Sequence, residues 1–367
     1  MTLATILFIA ITLLYIGQCW LLVYGVSKSR YNKNVHFEPT VSIVIAARNE
    51  EKNIGACLQS LAHLEYPTAK LEIIVVNDNS TDSTVDIIRD YVITHPSIKT
   101  LTARQGTDRL RGKANAIAQG IDVSSGEIIL MTDADCMVPQ SWVRTTVQNY
   151  SDDIGVVAGL TLLHPTGWFA GMQSLDWAYI LALASAAMAL NYPLSCIGNN
   201  FSFRRKAYDE VGGYRGIQFS VTEDFALFKA MTLSRRWGYR YPLEKEALVF
   251  SNACATILEL YRQKRRWGVG GKDMPLSAIT LMVVAFLMHL FLLSFLFFAI
   301  SPSVLFVGLI LKFGSDFAVL FMPLHRTGQA RQLKYFLIFE LYYIVYVVLL
   351  PFAVFLGGRV VWKGRKY

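Results

Sequence analysis

The chain has 367 residues, of which 53% are hydrophobic and only 17% charged, a composition that is unusual for a soluble enzyme and favours a membrane protein. The formal charge is +8, but the basic residues lie beside apolar segments and form no separate arm, which argues against a nucleic-acid-binding protein. Five widely spaced cysteines without a CxxC pair argue against a disulfide framework or a zinc site and indicate a reducing compartment.

The chain begins with an uncharged apolar stretch over residues 3–26, which is long enough to span a bilayer. A cleaved signal peptide is the alternative. Because no Lys or Arg precedes the stretch and it is long for a signal peptide, we predict an uncleaved transmembrane anchor over residues 1–27. The basic residues 27–33 follow directly, and the positive-inside rule then places the next part of the chain in the cytoplasm.

Residues 39–272 are predicted to form an α/β domain. Three apolar runs, at residues 41–47, 71–76 and 126–131, are typical of strands buried on both faces, and helical patterns separate them. This alternation predicts a mostly parallel, doubly wound sheet. A polar cluster follows each run, and ligands of such sheets bind beyond the carboxyl ends of the strands.

Three further apolar segments, at residues 275–300, 302–324 and 335–357, are each about long enough to span a bilayer. Residues 168–190 are apolar too, but Gln173 and Asp176 interrupt them, so we predict an interfacial or buried helix there rather than a crossing. A second interfacial helix is predicted at about residues 254–270.

The predicted crossings leave a conflict at the end of the chain. Three crossings after a cytoplasmic domain put the carboxyl terminus outside, whereas the tail at residues 358–367 is basic and should be inside. We therefore predict that one segment is re-entrant or interfacial. The candidate is residues 302–324, because Lys312 and Asp316 interrupt it at a spacing that lets them pair on one helix face.

Two carboxylates, Asp133 and Asp135, come directly after the third apolar run. At this spacing in a loop they can converge on a Mg²⁺ or Mn²⁺ ion and on the ribose of a nucleotide, because both ions prefer oxygen ligands and bridge phosphates. A solvated acidic loop is the alternative, since a lone DxD is common. The position at a strand end favours a site.

Asp78 follows the second run, where its carboxylate can accept a hydrogen bond from a base N–H; an Asx turn or helix cap is the alternative for residues 77–80. Residues 111–113 (RGK) offer a glycine that permits close backbone approach and Lys113, whose charge suits phosphate. They do not match a Walker A pattern, which argues against an ATPase.

Two further motifs lie near the end of the domain. Glu223 and Asp224, in the TED sequence 222–224, open a predicted helix and serve either as caps or as a general base for an acceptor hydroxyl. The QKRRW sequence 263–267 precedes an apolar segment. Its Trp suits a membrane interface and its Arg residues suit a pyrophosphate, with juxtamembrane anchoring as the alternative.

In this order, the motifs resemble the membrane-bound branch of family 2 glycosyltransferases, whose members include cellulose synthases, hyaluronan synthases and ceramide glucosyltransferases. The resemblance covers about residues 41–271. It implies a GT-A fold and a metal-dependent hexosyltransferase that uses a nucleotide-sugar, with uridine as the default base, and inverts the anomeric carbon.

The resemblance also assigns roles to single residues. Asp224 matches the catalytic base, with Glu223 beside it, and Asp135 and Asp133 match the metal ligands. The residues that match nucleotide-sugar-binding positions are Ala47, Arg48, Glu50, Asp78, Lys113, Asp133, Asp135, Gln263, Arg266 and Trp267. Residues 198–205 match the acceptor-side segment.

Polymer-extruding synthases of this branch have more membrane helices than this chain. We therefore favour transfer of a single sugar to a lipid over a processive polysaccharide synthase. The tail at residues 362–367 is similar to those of ceramide- and carotenoid-type lipid glycosyltransferases. The intact motifs argue against a non-catalytic scaffold, and the missing Walker motif against a transporter subunit. The expected partners are a nucleotide-sugar donor, a lipid acceptor and a membrane, expected to be a bacterial inner membrane, with no nucleic acid.

Overall fold

The computed structural model describes residues 2–107, 109–271, 274–295, 297, 300–356, 361–362 and 365–366. Lys272, at the predicted end of the α/β domain, lies outside the described residues. So does the predicted basic tail, apart from two short backbone strands, Val361–Trp362 and Arg365–Lys366.

Seven strands form the central sheet: β1 (Val41–Ala47), β2 (Leu71–Asn77), β3 (Ile98–Thr102), β4 (Ile128–Met131), β5 (Ile154–Ala158), β7 (Phe201–Arg204) and β8 (Gly238–Arg240). Their order is β3-β2-β1-β4-β7-β5-β8, and β7 alone among these seven is antiparallel to its neighbours. Strands β6 (Thr161–Leu163) and β9 (Val249–Ser251) form a separate parallel pair. The predicted mostly parallel sheet is confirmed, and the three apolar runs correspond to β1, β2 and β4.

Helices cover both faces of the sheet. They are α2 (Ile54–Ala62), α3 (Thr84–Thr94), α4 (Gly112–Asp122), α5 (Trp142–Val147), α6 (Trp168–Ala189), α7 (Arg205–Glu210), α8 (Gly213–Gly216), α9 (Glu223–Leu233) and α10 (Ile257–Gly270). Alternate residues of β1 face different cores: Ile43 and Ile45 pack with α2 and α3, whereas Val44 packs with α4. Burial on both faces explains why β1 reads as an unbroken apolar run.

Helix α6 joins the domain to the apolar helices. Seventeen of its 22 residues are buried, and it packs between β6 and the long apolar helices. The two polar residues that interrupt its sequence have partners inside the protein: Gln173 exchanges hydrogen bonds with the backbone of Cys254 (2.9 and 3.0 Å), and Asp176 forms an ion pair with Lys264 of α10. Within the protein α6 is a largely buried helix, as one of the two predicted alternatives requires, and the prediction that it does not cross the membrane stays a prediction.

Four long apolar helices accompany the domain: α1 (Leu3–Lys28), α11 (Leu276–Leu293), α12 (Pro302–Arg326) and α13 (Phe336–Leu356), the last preceded by the 3-10 helix Ala330–Tyr335. Within the described part of the chain, the segments Leu3–Lys28, Leu276–Leu293, Pro302–Arg326 and Ala330–Leu356 have the length and apolar composition needed to cross a membrane.

The middle carboxyl-terminal segment is one unbroken helix, α12, which lies along α1. An unbroken helix of 25 residues packed along α1 favours a full crossing over the predicted re-entrant or interfacial placement, which stays a prediction. Lys312 and Asp316 do pair, at 2.9 Å, as their spacing predicted, and Glu340 of α13 adds a second carboxylate. Tyr15 of α1 also donates to Asp316 (2.7 Å). Because Lys312, Asp316 and Glu340 are paired inside the protein, the helix needs no break to accommodate them.

Candidate active site

The loops after β1 and β2 are tied together at the carboxyl edge of the sheet. The Arg48 guanidinium donates to the backbone oxygens of Asp78 (2.7 Å) and Asn79 (3.0 Å), and the Asp78 N–H donates to the oxygen of Ala47 (2.8 Å). The Asp78 side chain is only 3% exposed. Three of the predicted nucleotide-binding residues, Ala47, Arg48 and Asp78, thus share one small region.

Glu50 shapes the same region from the loop between β1 and α2. Its N–H donates to the Thr84 hydroxyl (2.8 Å), and its carboxylate accepts from Asn53 (2.8 Å). These bonds connect the first loop to the amino-terminal end of α3 and leave Glu50 nearly buried. The hydrogen bonds of Glu50 with Thr84 and Asn53 therefore fix the loop after β1.

Lys113 connects the DxD motif to the TED motif. Its ammonium nitrogen lies 2.5 Å from Asp133 Oδ1 and 3.1 Å from Glu223 Oε1. Gly112, with φ +62°, supplies the left-handed backbone from which α4 and Lys113 start. Burial lowers the pKa of Lys113, but the charges of the neighbouring carboxylates together have a larger effect and raise it. The net shift of the Lys113 pKa is therefore upward, and the side chain stays charged.

Asp224 is held by two backbone donors. Its Oδ2 accepts from the Gly198 N–H (2.6 Å) and its Oδ1 from the Phe225 N–H (2.8 Å). A Cβ at residue 198 would lie 2.9 Å from the Asp224 Cβ, so a glycine is needed there. Burial first, and then the charge of Glu223, raise the pKa of Asp224 to about 6, against the opposing effect of Lys113.

A small cleft brings the basic residues to this acidic cluster. Arg266 of α10, Lys113 and Glu223 line it together. The other lining residues are Arg111, Ala114, Phe219, Ser220 and Val221. Two arginines and one lysine beside the strand ends suit the oxygens of a diphosphate, which accept charge-assisted hydrogen bonds.

Helix α10 is fixed in place by buried contacts with α6. The Lys264–Asp176 ion pair is almost fully buried, and Trp267 packs on Trp177 with 5.3 Å between ring centroids. The structure does not place Gln263 in the lining of the cleft. Its carbonyl oxygen is buried and has no hydrogen-bond partner in the described part of the chain. The prediction that Gln263 contacts the donor stays untested.

The protein side chains at the site do not by themselves complete the coordination of a metal ion. Among the residues that the structure describes, no group of three or more His, Cys, Asp or Glu side chains is placed to hold a metal ion. Asp133 and Asp135 offer two carboxylates at the strand end. This set fits Mg²⁺ or Mn²⁺ if phosphate oxygens and water complete the coordination, as is common for Mg²⁺.

Comparison with known proteins identifies the family. The sequence model of the protein family described as glycosyl transferase family 2 matches residues 42–225, just over half of the chain. The chain belongs to glycosyl transferase family 2. The predicted resemblance is thereby confirmed, and the matched range holds the loops after β1, β2 and β4 together with the TED motif.

Two kinds of relative illustrate the range of this glycosyltransferase family. A beta-monoglucosyldiacylglycerol synthase of Nostoc sp. is 29% identical over 240 residues, which is 64% of this chain and 49% of the relative. A poly-beta-1,6-N-acetyl-D-glucosamine synthase of Staphylococcus epidermidis is 28% identical over 240 residues, 64% of this chain and 55% of the relative. The chain spans about half the length of these curated relatives.

A solved structure supports the same fold for the transferase. The mannosyltransferase PcManGT from Pyrobaculum calidifontis, in complex with GDP-Man and Mn²⁺, superposes with a TM-score of 0.59 and 17% identity. The match covers 96% of this chain and 99% of that one. The predicted GT-A fold is confirmed.

Sequence reasoning missed several residues of the candidate site. The loop at residues 219–221 lines the cleft, and only its position before the TED motif could have pointed to it. Asp176 was noted as an interruption of an apolar helix, but no local pattern pairs it with Lys264. Gly198 was assigned to the acceptor side, whereas its contact with Asp224 required the fold.

The pH profile of the transferase gives a first test of the site. If Asp224 is the base, kcat/KM should rise tenfold per pH unit below about 6 and level off above it, because only the ionised carboxylate accepts a proton. Glu223→Gln should move the midpoint to lower pH, and Lys113→Met should move it to higher pH. Initial rates between pH 4.5 and 8.5 measure the three midpoints. Midpoints that stay together in all three proteins would exclude Asp224 as the titrating group.

Proposed function

We propose that this enzyme transfers a single sugar, with inversion, from a nucleotide-sugar to a hydroxyl group of a membrane lipid at the cytoplasmic face of the membrane. The supporting observation is the convergence of Lys113, Glu223 and Arg266 on one cleft beside Asp224, at the carboxyl edge of the sheet. A uridine diphosphate sugar is the default donor by analogy with the family.

The proposed domain division follows the predicted one. Residues 1–27 anchor the chain, residues 39–272 form the catalytic domain, and residues 275–357 return to the membrane ahead of the basic tail. The positive charge after the first apolar helix supports a cytoplasmic catalytic domain, and a bacterial inner membrane is the expected location.

On the donor side, we assign the nucleoside to the region of Ala47, Arg48 and Asp78, and the diphosphate to Asp133, Lys113 and Arg266. Glu50 fixes the nucleoside loop, and Gln263 and Trp267 complete the donor side from α10. The mannosyltransferase of the same fold was solved with Mn²⁺, which supports a divalent ion here too. When bound by Asp133 and Asp135, Mg²⁺ or Mn²⁺ would neutralise charge on the leaving diphosphate.

The chemical step needs one base. Asp224 takes the proton of the acceptor hydroxyl, whose oxygen forms a bond to the anomeric carbon. The bond from that carbon to the phosphate oxygen breaks, and its electron pair leaves with the nucleoside diphosphate. Arg266 and Lys113 are placed to stabilise that charge. Glu223 is less suited to be the base, because it is already tied to Lys113.

The position of α10 supports an amphiphilic acceptor. Gly270, at its end, packs directly against Thr222 of the TED motif, and α11 begins soon after. Near its start, α10 exposes Ile257, Leu258 and Tyr261. Exposed apolar side chains on the helix that also lines the cleft favour an acceptor delivered from a bilayer. The diacylglycerol-directed relative agrees, whereas the poly-N-acetylglucosamine synthase keeps a processive polysaccharide synthase as the second candidate.

The decisive experiment incubates the purified full chain with labelled uridine and guanosine diphosphate sugars and with lipids extracted from the expression host. Mass spectrometry of the organic phase detects lipids that gain one sugar, and gel filtration of the aqueous phase detects polymer. The Asp224→Asn protein serves as the blank.

One-to-one transfer into the organic phase supports the proposal. Long aqueous products would instead establish the polysaccharide synthase. If no donor is consumed with any lipid, whereas the protein still binds nucleoside diphosphate, the lipid acceptor is wrong.

A further inference from the structure

Helices α1, α6, α11, α12 and α13 pack together into a bundle. Three of them, α1, α11 and α12, run through this bundle from end to end. Phe8, near the start of α1, contacts Phe291 near the end of α11 and Gly308 near the start of α12. Tyr15, in the middle of α1, meets His289 and Asp316. These contacts make α12 parallel to α1 and α11 antiparallel to both, as three successive crossings require.

The ends of α1 and α12 lie together at the α/β domain. Arg326 donates to the oxygen of Val26 (2.8 Å) and to the hydroxyl and backbone oxygens of Ser29 (3.0 Å each). Just beyond α12, Gly328 lies against Lys245 of the domain. The chain has therefore reached the catalytic side when α12 ends.

The last apolar helix also ends at the catalytic side. Arg265 of α10 donates to the backbone oxygen of Ala353 (3.1 Å), and Gly268 packs directly against Leu350 and Val354. Helix α10 carries Arg266 of the cleft, so the last two turns of α13 rest on the catalytic domain.

The start of α13 lies deep in the bundle rather than at its far side. Phe336 packs edge-to-face against Phe313 and Phe317, which precede the end of α12 by 9 to 13 residues, or roughly 14–20 Å of helix. Residues 327–335 make this return, and six of them form a 3-10 helix. Such a linker reaches only about 22 Å, which is short of the roughly 30 Å of a hydrocarbon core.

We propose that residues 330–356 form a re-entrant segment, which enters the membrane from the catalytic side and returns to that side. The chain then crosses the membrane three times, and its carboxyl terminus lies with the catalytic domain. This placement accounts for the basic tail, which three crossings after the domain could not.

The exposed surface of α13 fits the acyl chains of the leaflet on the catalytic side. Every exposed side chain of this helix is apolar: Leu337, Leu341, Val345, Leu349, Phe352, Phe355 and Leu356. They form one stripe at three- and four-residue spacing, and the opposite stripe, including Glu340 and Tyr343, is buried against protein.

Thiol accessibility in the full chain tests the proposal. In a Cys254→Ser background, where the four remaining cysteines are buried, a cysteine is introduced by Ser301→Cys, by Ser27→Cys, or appended after Tyr367. Ser301 and Ser27 are exposed at opposite ends of the bundle and serve as the two side markers. A membrane-impermeant maleimide is applied to intact and to permeabilised cells, and labelling after denaturation confirms each thiol.

We expect the appended cysteine to behave like Ser27→Cys and opposite to Ser301→Cys. The proposal is overturned if the appended cysteine shares the accessibility of Ser301→Cys. This result does not depend on the sugar or the acceptor, because neither takes part in the measurement.

Discussion

Replacing Asp224 by asparagine is expected to lower kcat about a thousandfold and to leave the KM for the donor nearly unchanged. A positioned general base contributes about 10²–10⁴ to a rate, and an amide cannot take the proton of the acceptor. Asp224 accepts its hydrogen bonds from Gly198 and Phe225, not from the basic residues of the cleft, so donor binding should be spared. Steady-state transfer at pH 7.5 with varied donor separates kcat from KM.

Two controls make this result specific to the chemistry. Asp209→Asn removes an exposed carboxylate on α7 and should keep full activity. Because the amide cannot accept from both backbone N–H groups, Asp224→Asn also loses one hydrogen bond, so thermal unfolding with nucleoside diphosphate must confirm that the variant is folded. An Asp224→Asn protein within tenfold of the parental kcat would remove Asp224 from the mechanism.

Local sequence identified the strands that are buried on both faces. β1, β2 and β4 stand out because most of their positions are buried and carry apolar side chains. β3 lies at the edge of the sheet with only Ile98 buried, so its pattern is weak. β7 owes its place to antiparallel pairing with β4 and β5, and the partners are far apart in the chain. Such pairing leaves no local signal.

The same distinction between local and distant partners explains the predictions about charged residues. Lys312 and Asp316 are four residues apart, so their pairing could be predicted from helix geometry. Glu340, the second carboxylate that pairs with Lys312, lies on another helix. In the sequence alone, Lys312 and Asp316 therefore interrupt an apolar membrane segment. Likewise the motifs around Lys113 and Glu223 were found separately, but their contact across 110 positions of sequence needed the fold.

Replacing Asp135 by asparagine is expected to lower kcat/KM about a thousandfold, and removal of divalent ions from the parent should cost at least as much. A Lewis acid on the diphosphate contributes several kcal/mol to the transition state, and each 1.4 kcal/mol is about tenfold in rate. Asp133→Asn should cost less, about a hundredfold, because Lys113 already neutralises one oxygen of that carboxylate. Rates in chelator, and after added Mg²⁺ or Mn²⁺, measure the dependence.

The variant with the larger loss of kcat/KM, Asp135→Asn or Asp133→Asn, identifies the carboxylate that contributes more to binding the ion. Asp86→Asn, which removes an exposed carboxylate paired with Arg89 on α3, should change neither the rate nor the metal dependence. In Asp135→Asn, saturating metal should recover little of the rate. The remaining carboxylate, Asp133, is already paired with Lys113 and would bind the ion less well. Parental activity that persists in chelator would show that Arg111, Lys113 and Arg266 stabilise the leaving group without a metal, and Asp135 would then have no role as a ligand.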